Sequence, residues 1–428
     1  MKSTKTFCFY IVCLLIQINV VAQFTFSQRR PPYPQLIANF ENMEDGDISY
    51  ADIDLDGDLD VLLVGEHNDR PVTVLYENDG LGNFNKVANV PFVKVLDGAA
   101  DFGDIDGDGD PDLFIVGENE EFKLTGILYE NIDGVFHLLE DSFLGTRHAT
   151  VDFADVDGDE DLDLLITGFI VGTGSSTSLY QNDGTGSFLS IEHPFEPIQF
   201  GTADFEDVDS DGDMDLLLTG SNANTPVSEL YLNDGMGNFQ VFDDLPFPDV
   251  QFSSVAFGDY DNDEDLDVFI MGMQSDGSEI TSLYLYSESL QYTLSNQSFD
   301  EGAFGSLICF DFENDGDLDL LSIRTGDLSE FGGRSSSFYL NDGVGTFVQS
   351  DLVPFEPLSF PSFALLDIDN NDDDDLIFSG SSFQNGIVTR AYRNMGDGEW
   401  LEMTGTVIDG YGHVSIGDFD QDSDLDLM

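Results

Sequence analysis

Basic residues are scarce. Lysine and arginine together number 13, against 85 aspartates and glutamates, and the formal net charge is −72. A chain with this balance offers no basic face to a phosphate backbone, which excludes nucleic acid as a partner. Anionic bilayer surfaces are disfavoured for the same reason. Cysteine is scarce as well: only Cys8, Cys13 and Cys309 occur. Catalytic signatures are missing. There is no HExxH, no GxSxG elbow and no P-loop, and His67, His137, His148, His193 and His413 share no repeat position. An enzyme is therefore not expected. Helical periodicity is absent throughout, which argues for an all-β chain.

Long apolar runs are also lacking, except at the N-terminus. Residues 1–22 place Lys2 and Lys5 before an apolar stretch over 7–21, with Val20, Val21 and Ala22 as small residues at a cleavage point. The run is too short for a bilayer span, and Gln17 and Asn19 interrupt it, so the segment reads as a secretory signal peptide. Residues 23–34 then form a linker, and the protein is expected to be secreted or held at a cell surface, with no membrane insertion of the mature chain. Cys8 and Cys13 leave with the signal. Cys309 remains alone, so no internal disulfide forms, and it occupies a position where other repeats have phenylalanine. It reads as a small core residue rather than a nucleophile. An exported chain without disulfides needs another staple.

Aspartate is what the sequence has in abundance, and it is punctuated. DIDLDGDLD at 52–60 recurs as DIDGDGDPD from Asp104, DVDGDEDLD from Asp155, DVDSDGDMD from Asp207 and DYDNDEDLD from Asp259. DFENDGDLD from Asp311, DIDNNDDDD from Asp367 and DFDQDSDLD from Asp418 complete the set, at steps of 51 to 56 residues. Half of the acidic residues lie in these eight loops, a distribution that a merely solvated surface would not produce. A fixed period near 50 residues marks a repeat architecture.

Each unit reads as four strands. Before the loop, apolar residues alternate (Ala100/Phe102, Val151/Phe153, Ala203/Phe205, Val255/Phe257, Phe363/Leu365), and after it comes a continuous apolar run such as VLLVG or LLLTG. A third strand ends at Tyr76, Tyr129, Tyr180, Tyr231, Tyr284, Tyr339 or Tyr392, followed by turn signatures such as ENDGLGNF and LNDGMGNF. A fourth is expected to run to Phe92, Phe143, Phe195, Phe247, Phe299 or Phe355. Four strands in about 52 residues describe a propeller blade. Residues 35–43 sit in the register of a fourth strand without its first three, and the chain stops inside an eighth unit. The expected fold is an all-β propeller over 35–428, read as an eight-blade ring truncated in its last repeat, with a seven-blade ring as the alternative.

The loops have the chemistry of a hard-cation site. Positions 1, 3, 5 and 9 are carboxylates in almost every copy, alternate positions of a tight loop point to one side, and position 7 can add its carbonyl. An EF-hand would need a glutamate at position 12, which is Leu63 in the first loop and Ile115 in the second. A strand–loop–strand Ca2+ site is expected, up to one ion per loop.

This DxDxDGxxD pattern between strands, with AFGD at 256–259 and a period near 52, resembles the FG-GAP/VCBS family, which includes the β-propeller of integrin α chains. The resemblance implies that Ca2+ is bound at position 1 by Asp52, Asp104, Asp155, Asp207, Asp259, Asp311, Asp367 and Asp418. At position 3 it implies Asp54, Asp106, Asp157, Asp209, Asp261, Glu313, Asp369 and Asp420. Position 5 gives Asp56, Asp108, Asp159, Asp211, Asp263, Asp315, Asn371 and Asp422. Position 9 gives Asp60, Asp112, Asp163, Asp215, Asp267, Asp319, Asp375 and Asp426, and in the first loop the carbonyl of Asp58 joins them. Glu160, Glu264, Asp372 and Ser423 replace glycine at position 6, and Asn371 and Asp374 set the seventh loop apart as one of the weakest. The expected function is a secreted Ca2+-binding, adhesion-type module for extracellular protein or glycan ligands. Binding is expected on the connections between second and third strands, such as 66–73, 118–125, 169–178 and 323–337, with Ca2+ structural. The alternative is the propeller domain of a polysaccharide-degrading lyase or hydrolase.

Overall fold

The computed structural model describes residues 40–403, apart from 288–289, 326–333, 351–354, 372, 383 and 396–399, together with 416–417 and 426–427. The signal segment 1–22, the linker 23–34, His413, Asp372 and Ser423 lie outside the described residues. Seven four-stranded antiparallel sheets follow one another along the chain, each with its strands in sequence order. Blade 1 comprises Glu44–Ala51, Asp60–Glu66, Pro71–Glu77 and Asn85–Lys86. Blades 2 to 6 span 95–143, 151–191, 202–241, 251–294 and 306–349, and blade 7 spans 358–402.

The strand pattern follows the apolar spacing. The second strand of each blade is the continuous apolar run and is buried on both faces, as in Asp60–Glu66, where Val61, Leu62, Leu63 and Val64 are fully covered. First strands touch first strands all the way round, and that of blade 1 packs beside those of blades 2 and 7. They line the axis. Side chains tie them together across blades: Asp47 accepts from the Ala100 N–H at 3.2 Å, Asp101 from Phe153 at 3.3 Å and Asp152 from Phe205 at 3.2 Å.

The ring closes with seven blades, the alternative expected from the sequence, rather than eight. Blade 7 takes all four strands from its own stretch of chain, and residues 40–43 fill the seam between it and blade 1. Phe40 packs on Tyr76 and Phe84, each at 4.9 Å between ring centroids, and the Met43 N–H donates to Thr389 Oγ1 at 3.1 Å. No gap is left for an eighth sheet. The start of the eighth repeat forms a separate two-stranded pair, Ile416–Gly417 with Asp426–Leu427.

A second correction concerns the fourth strands. Most are two to four residues long, and only Val135–Phe143 reaches its phenylalanine. The other phenylalanines lie on the connector to the next blade, where they plug the seam. Phe92 meets Tyr129 of blade 2 at 5.2 Å, Phe195 meets Tyr231 at 4.9 Å and Phe299 meets Tyr339 at 5.1 Å, all edge-to-face. The N–H after the phenylalanine donates to the tyrosine hydroxyl: Val93 to Tyr129 at 2.8 Å, Glu196 to Tyr231 at 2.8 Å and Asp300 to Tyr339 at 2.7 Å. Cys309 packs in the core between blades 5 and 6, where burial pushes its thiol up to about 12, as expected of a structural residue.

Candidate functional site: seven acidic loops and an axial mouth

All seven described acidic loops join first to second strands and therefore gather at one end of the ring. In the first, the carboxylate of Asp52 accepts the N–H groups of Asp56 and Gly57, each at 3.0 Å, and Asp56 accepts that of Asp58 at 3.1 Å. Position 4 has a left-handed backbone in every described copy, with φ of 57° at Leu55, 58° at Ser210 and 57° at Asn262. Glycine at 107 and 158 and asparagine at 262, 314 and 370 suit this conformation, whereas Leu55 and Ser210 do not announce it. Position 6 is left-handed too in the six loops where it is described, and Glu160 and Glu264 hold φ of 71° where the other four use glycine. These side chains accept the strained turn expected of them.

The position 9 aspartates are between 0 and 2% exposed. Each clamps two backbone segments. Asp60 accepts the Ile53 N–H at 3.1 Å and the Asn78 N–H at 2.8 Å, and Asp319 accepts Phe312 at 3.0 Å and Asn341 at 2.8 Å. Burial, and then neighbouring loop carboxylates, raise Asp60, Asp112, Asp215, Asp267 and Asp375 to about 7 and Asp319 to about 8.

The asparagine of the Asn-Asp-Gly turns has a role that the turn signature conceals. Its amide reaches across the seam to the position 2 carbonyl of the preceding blade. Asn131 donates to Ile53 at 2.8 Å, Asn182 to Ile105 at 2.7 Å, Asn233 to Val156 at 2.8 Å and Asn341 to Tyr260 at 2.9 Å. Asn78 donates to Ile368 at 2.9 Å and so joins blade 1 to blade 7. The repetition of this asparagine two residues after the third-strand tyrosine was the only signal for it in the sequence. The following glycine is required: a Cβ on Gly80 would meet the Asp58 carboxylate at 2.3 Å.

The loops bring expected ligands together. Asp52, Asp54 and Asp60 converge in the first, as do Asp155, Asp157 and Asp163 in the third and Asp207, Asp209 and Asp215 in the fourth. In the second and fifth the converging sets are Asp104, Asp106, Asp108 and Asp259, Asp261, Asp263, with ligand atoms within 4.8 Å of one another throughout. One oxygen each of Asp157, Asp209, Asp261 and Glu313 is buried without a hydrogen-bond partner. All four are position 3 residues, and Asp369, the position 3 residue of the seventh loop, likewise has no hydrogen-bond partner on its Oδ1, its other oxygen meeting Arg393. A buried carboxylate oxygen with no donor is costly, and an oxygen-only donor set of this kind suits a hard dication. These residues fit the ion. Loop 7 differs, since Asp369 is ion-paired with Arg393. Asp418, Asp420 and Asp422 of the eighth loop lie outside the described residues, and Asp426 begins the short strand already noted.

The opposite end carries a different feature. The expected binding connections are mostly strand: 169–178 reduces to a turn at 171–173 between Asp163–Ile170 and Gly174–Asn182, and 326–333 is outside the described residues. What remains at the axis is a ring of one residue per blade. Asp45, Asp97, His148, Phe200, Phe252, Phe304 and Phe360 all hold φ between 49° and 54°. Register breaks beside four of them, as between Gln251 and Ser254, mark these as bulges that turn the side chain toward the axis. Phe252 stacks on Phe304 at 4.0 Å, and His148 lies on Phe200 at 4.2 Å. A cavity of about 340 Å³ opens there. Burial and Asp97 raise Asp45 to about 7, and burial lowers His148.

Comparison with known proteins agrees with this geometry. A model of the FG-GAP-like repeat matches residues 52–115, 104–166 and 207–270. No curated protein matches the chain. Among solved structures, the BP39L lectin of Burkholderia pseudomallei aligns at 10% identity and a TM-score of 0.52, covering 85% of this chain and 97% of its own. AofleA of Arthrobotrys oligospora aligns at 10% identity and a TM-score of 0.40, over 74% of this chain and 89% of that one. A thermostable family-43 glycoside hydrolase aligns at 10% identity and 0.35, over 62% and 97%. The chain thus carries FG-GAP-like repeats, matched three times, on a β-propeller of seven blades.

Proposed function

We propose that the protein is an exported glycan-binding propeller, with Ca2+ as a structural ion in its acidic loops. One observation carries the binding reading: the axial mouth presents phenylalanine faces beside carboxylates. Sugar C–H faces pack on aromatic rings, and carboxylates accept from hydroxyls, so Phe252, Phe304 and Phe360 would supply contact area while Asp45 and Asp97 fix orientation. The BP39L lectin shares the ring architecture, so the fold can carry this class of function. The N-terminal signal reading and the acidity support export.

Ca2+ would be held by the carboxylates at positions 1, 3, 5 and 9, led by the partnerless oxygens of Asp157, Asp209, Asp261 and Glu313. Bound there, it neutralises clustered charge and supplies no reaction chemistry. The chain's own residues do the rest: position 9 clamps the loop to the third strand, and the asparagine amide fastens it to the preceding blade. The binding is tested on a glycan array with wild-type protein, Phe252→Ala and Phe360→Ala. Retention of a glycan by wild type and its loss in both variants is expected. Binding that survives both changes, or depolymerisation of a retained polysaccharide, would overturn the reading.

A further inference from the structure

The residue after the third-strand tyrosine reaches loop position 3 in blades 3 and 7. Two blades show what it does there. In blade 3 the Gln181 amide donates to Asp157, and in blade 7 the Arg393 guanidinium pairs with Asp369. Elsewhere the place is taken by Glu77, Glu130, Leu232, Leu285 or Leu340. Arg393 thus brings the one positive charge among these seven positions. The pair is sheltered, with the Asp369 side chain 4% exposed and that of Arg393 22%. The same loop has Asn371 where six described loops have a position 5 carboxylate.

We propose that the seventh loop is closed by Arg393 and takes no divalent ion, so that the ring-closing blade is ordered without calcium. This rests on the reading that the other loops bind Ca2+. The physics is direct. A guanidinium is charged at every accessible pH, and that of Arg393 meets one Asp369 oxygen through a terminal nitrogen, while Arg393 Nε and Asp369 Oδ1 have no hydrogen-bond partner. A dication seated on Asp369 would face that charge in a poorly screened site, with one ligand carboxylate fewer to hold it. The place of this loop in the ring gives the arrangement its use. Blade 7 meets blade 1 at the seam where the circle closes, through Asn78 to Ile368 and Asn370 to Asp58. An internal cation there keeps the seam fastened when calcium is withdrawn and the other loops lose their ions.

The experiment counts ions per full-length chain by equilibrium dialysis against radioactive calcium. Asp261→Asn, in the fifth loop, should lose one ion. Asp369→Asn should lose none. Arg393→Gln combined with Asn371→Asp should gain one. If Asp369→Asn loses an ion as Asp261→Asn does, or if the double variant gains none, the proposal falls while the calcium reading stands. A wild-type chain that binds no calcium overturns both. Melting in excess EGTA gives an independent readout: Arg393→Gln should melt below wild type, and an equal or higher melting temperature counts against the proposal.

Discussion

Asn78 and Ile368 are 290 residues apart and are joined by a 2.9 Å hydrogen bond from the asparagine amide to the isoleucine carbonyl. The same bond joins four other pairs of neighbouring blades at the loop end of the ring, through Asn131, Asn182, Asn233 and Asn341. At the seam it fastens the start of the chain to its seventh blade.

Asn78→Ala should therefore destabilise the ring. It removes the bond to Ile368 and a second one to Leu59 at 3.3 Å, and it strands a buried carbonyl. The expected loss is about 2 kcal/mol, since an unsatisfied buried group costs roughly 1–3 kcal/mol. Chemical denaturation measures it. Asn233→Ala should cost a similar amount, because the bonding is the same within the ring.

Calcium removal should lower the melting temperature sharply. An ion that binds only the folded chain contributes RT ln(1 + [L]/Kd), about 1.4 kcal/mol per site at ten times Kd. Scanning calorimetry with and without excess EGTA checks this; coincident melts would contradict structural calcium.

The tyrosine hydroxyls should not be equivalent. Tyr129 accepts the Val93 N–H at 2.8 Å, but the residue facing Tyr284 is Pro248, which has no N–H to give. Tyr129→Phe should cost about 1 kcal/mol in unfolding free energy, a typical net value for one hydrogen bond. Tyr284→Phe should cost clearly less. Equal losses would show that ring packing alone matters.

The axial aspartates should make stability fall as pH rises. Burial, with the Asp204 and Asp101 charges next, raises Asp152 to about 8, while burial raises Asp101 and Asp204 to about 7. A carboxyl raised above its unfolded value stabilises the fold below that unfolded value, and the contribution is lost as pH climbs through the folded one. With calcium saturating, stability should decline between about pH 4 and pH 8. Asp152→Asn should flatten that slope and gain on the order of 1 kcal/mol at pH 8, where the native carboxyl is half ionised and poorly hydrated. Urea titrations across this range read it directly.

Relief of turn strain gives a stabilising change. Glu160 and Glu264 hold φ of 71° at position 6. Glycine reaches this conformation without a Cβ clash, so Glu160→Gly should gain about 1 kcal/mol. Urea denaturation with calcium present measures the gain.

Much of this was legible locally. The period of the acidic loops, the apolar second strands and the recurring tyrosines each announce their element within a dozen residues, because strand alternation and turn chemistry act over that range. The phenylalanines were legible as recurring residues but not as seam plugs, since nothing in PFEP at 354–357 says that the chain has already left the fourth strand. The left-handed backbone at Leu55 and Ser210 was hidden for a related reason: those residue types do not favour it, and the loop around them imposes it.

By itself the sequence determined the repeat, the four-stranded blade and the chemistry of the loops, all of which depend on neighbours in the chain. Only the tertiary structure decided that seven blades close, that Phe40 fills the last seam, that Asn78 latches it, and that Arg393 rests on Asp369. Closure depends on how each sheet packs against the next around the whole circle. That sum is set by contacts between residues hundreds of positions apart, which eight similar loops in a row do not record.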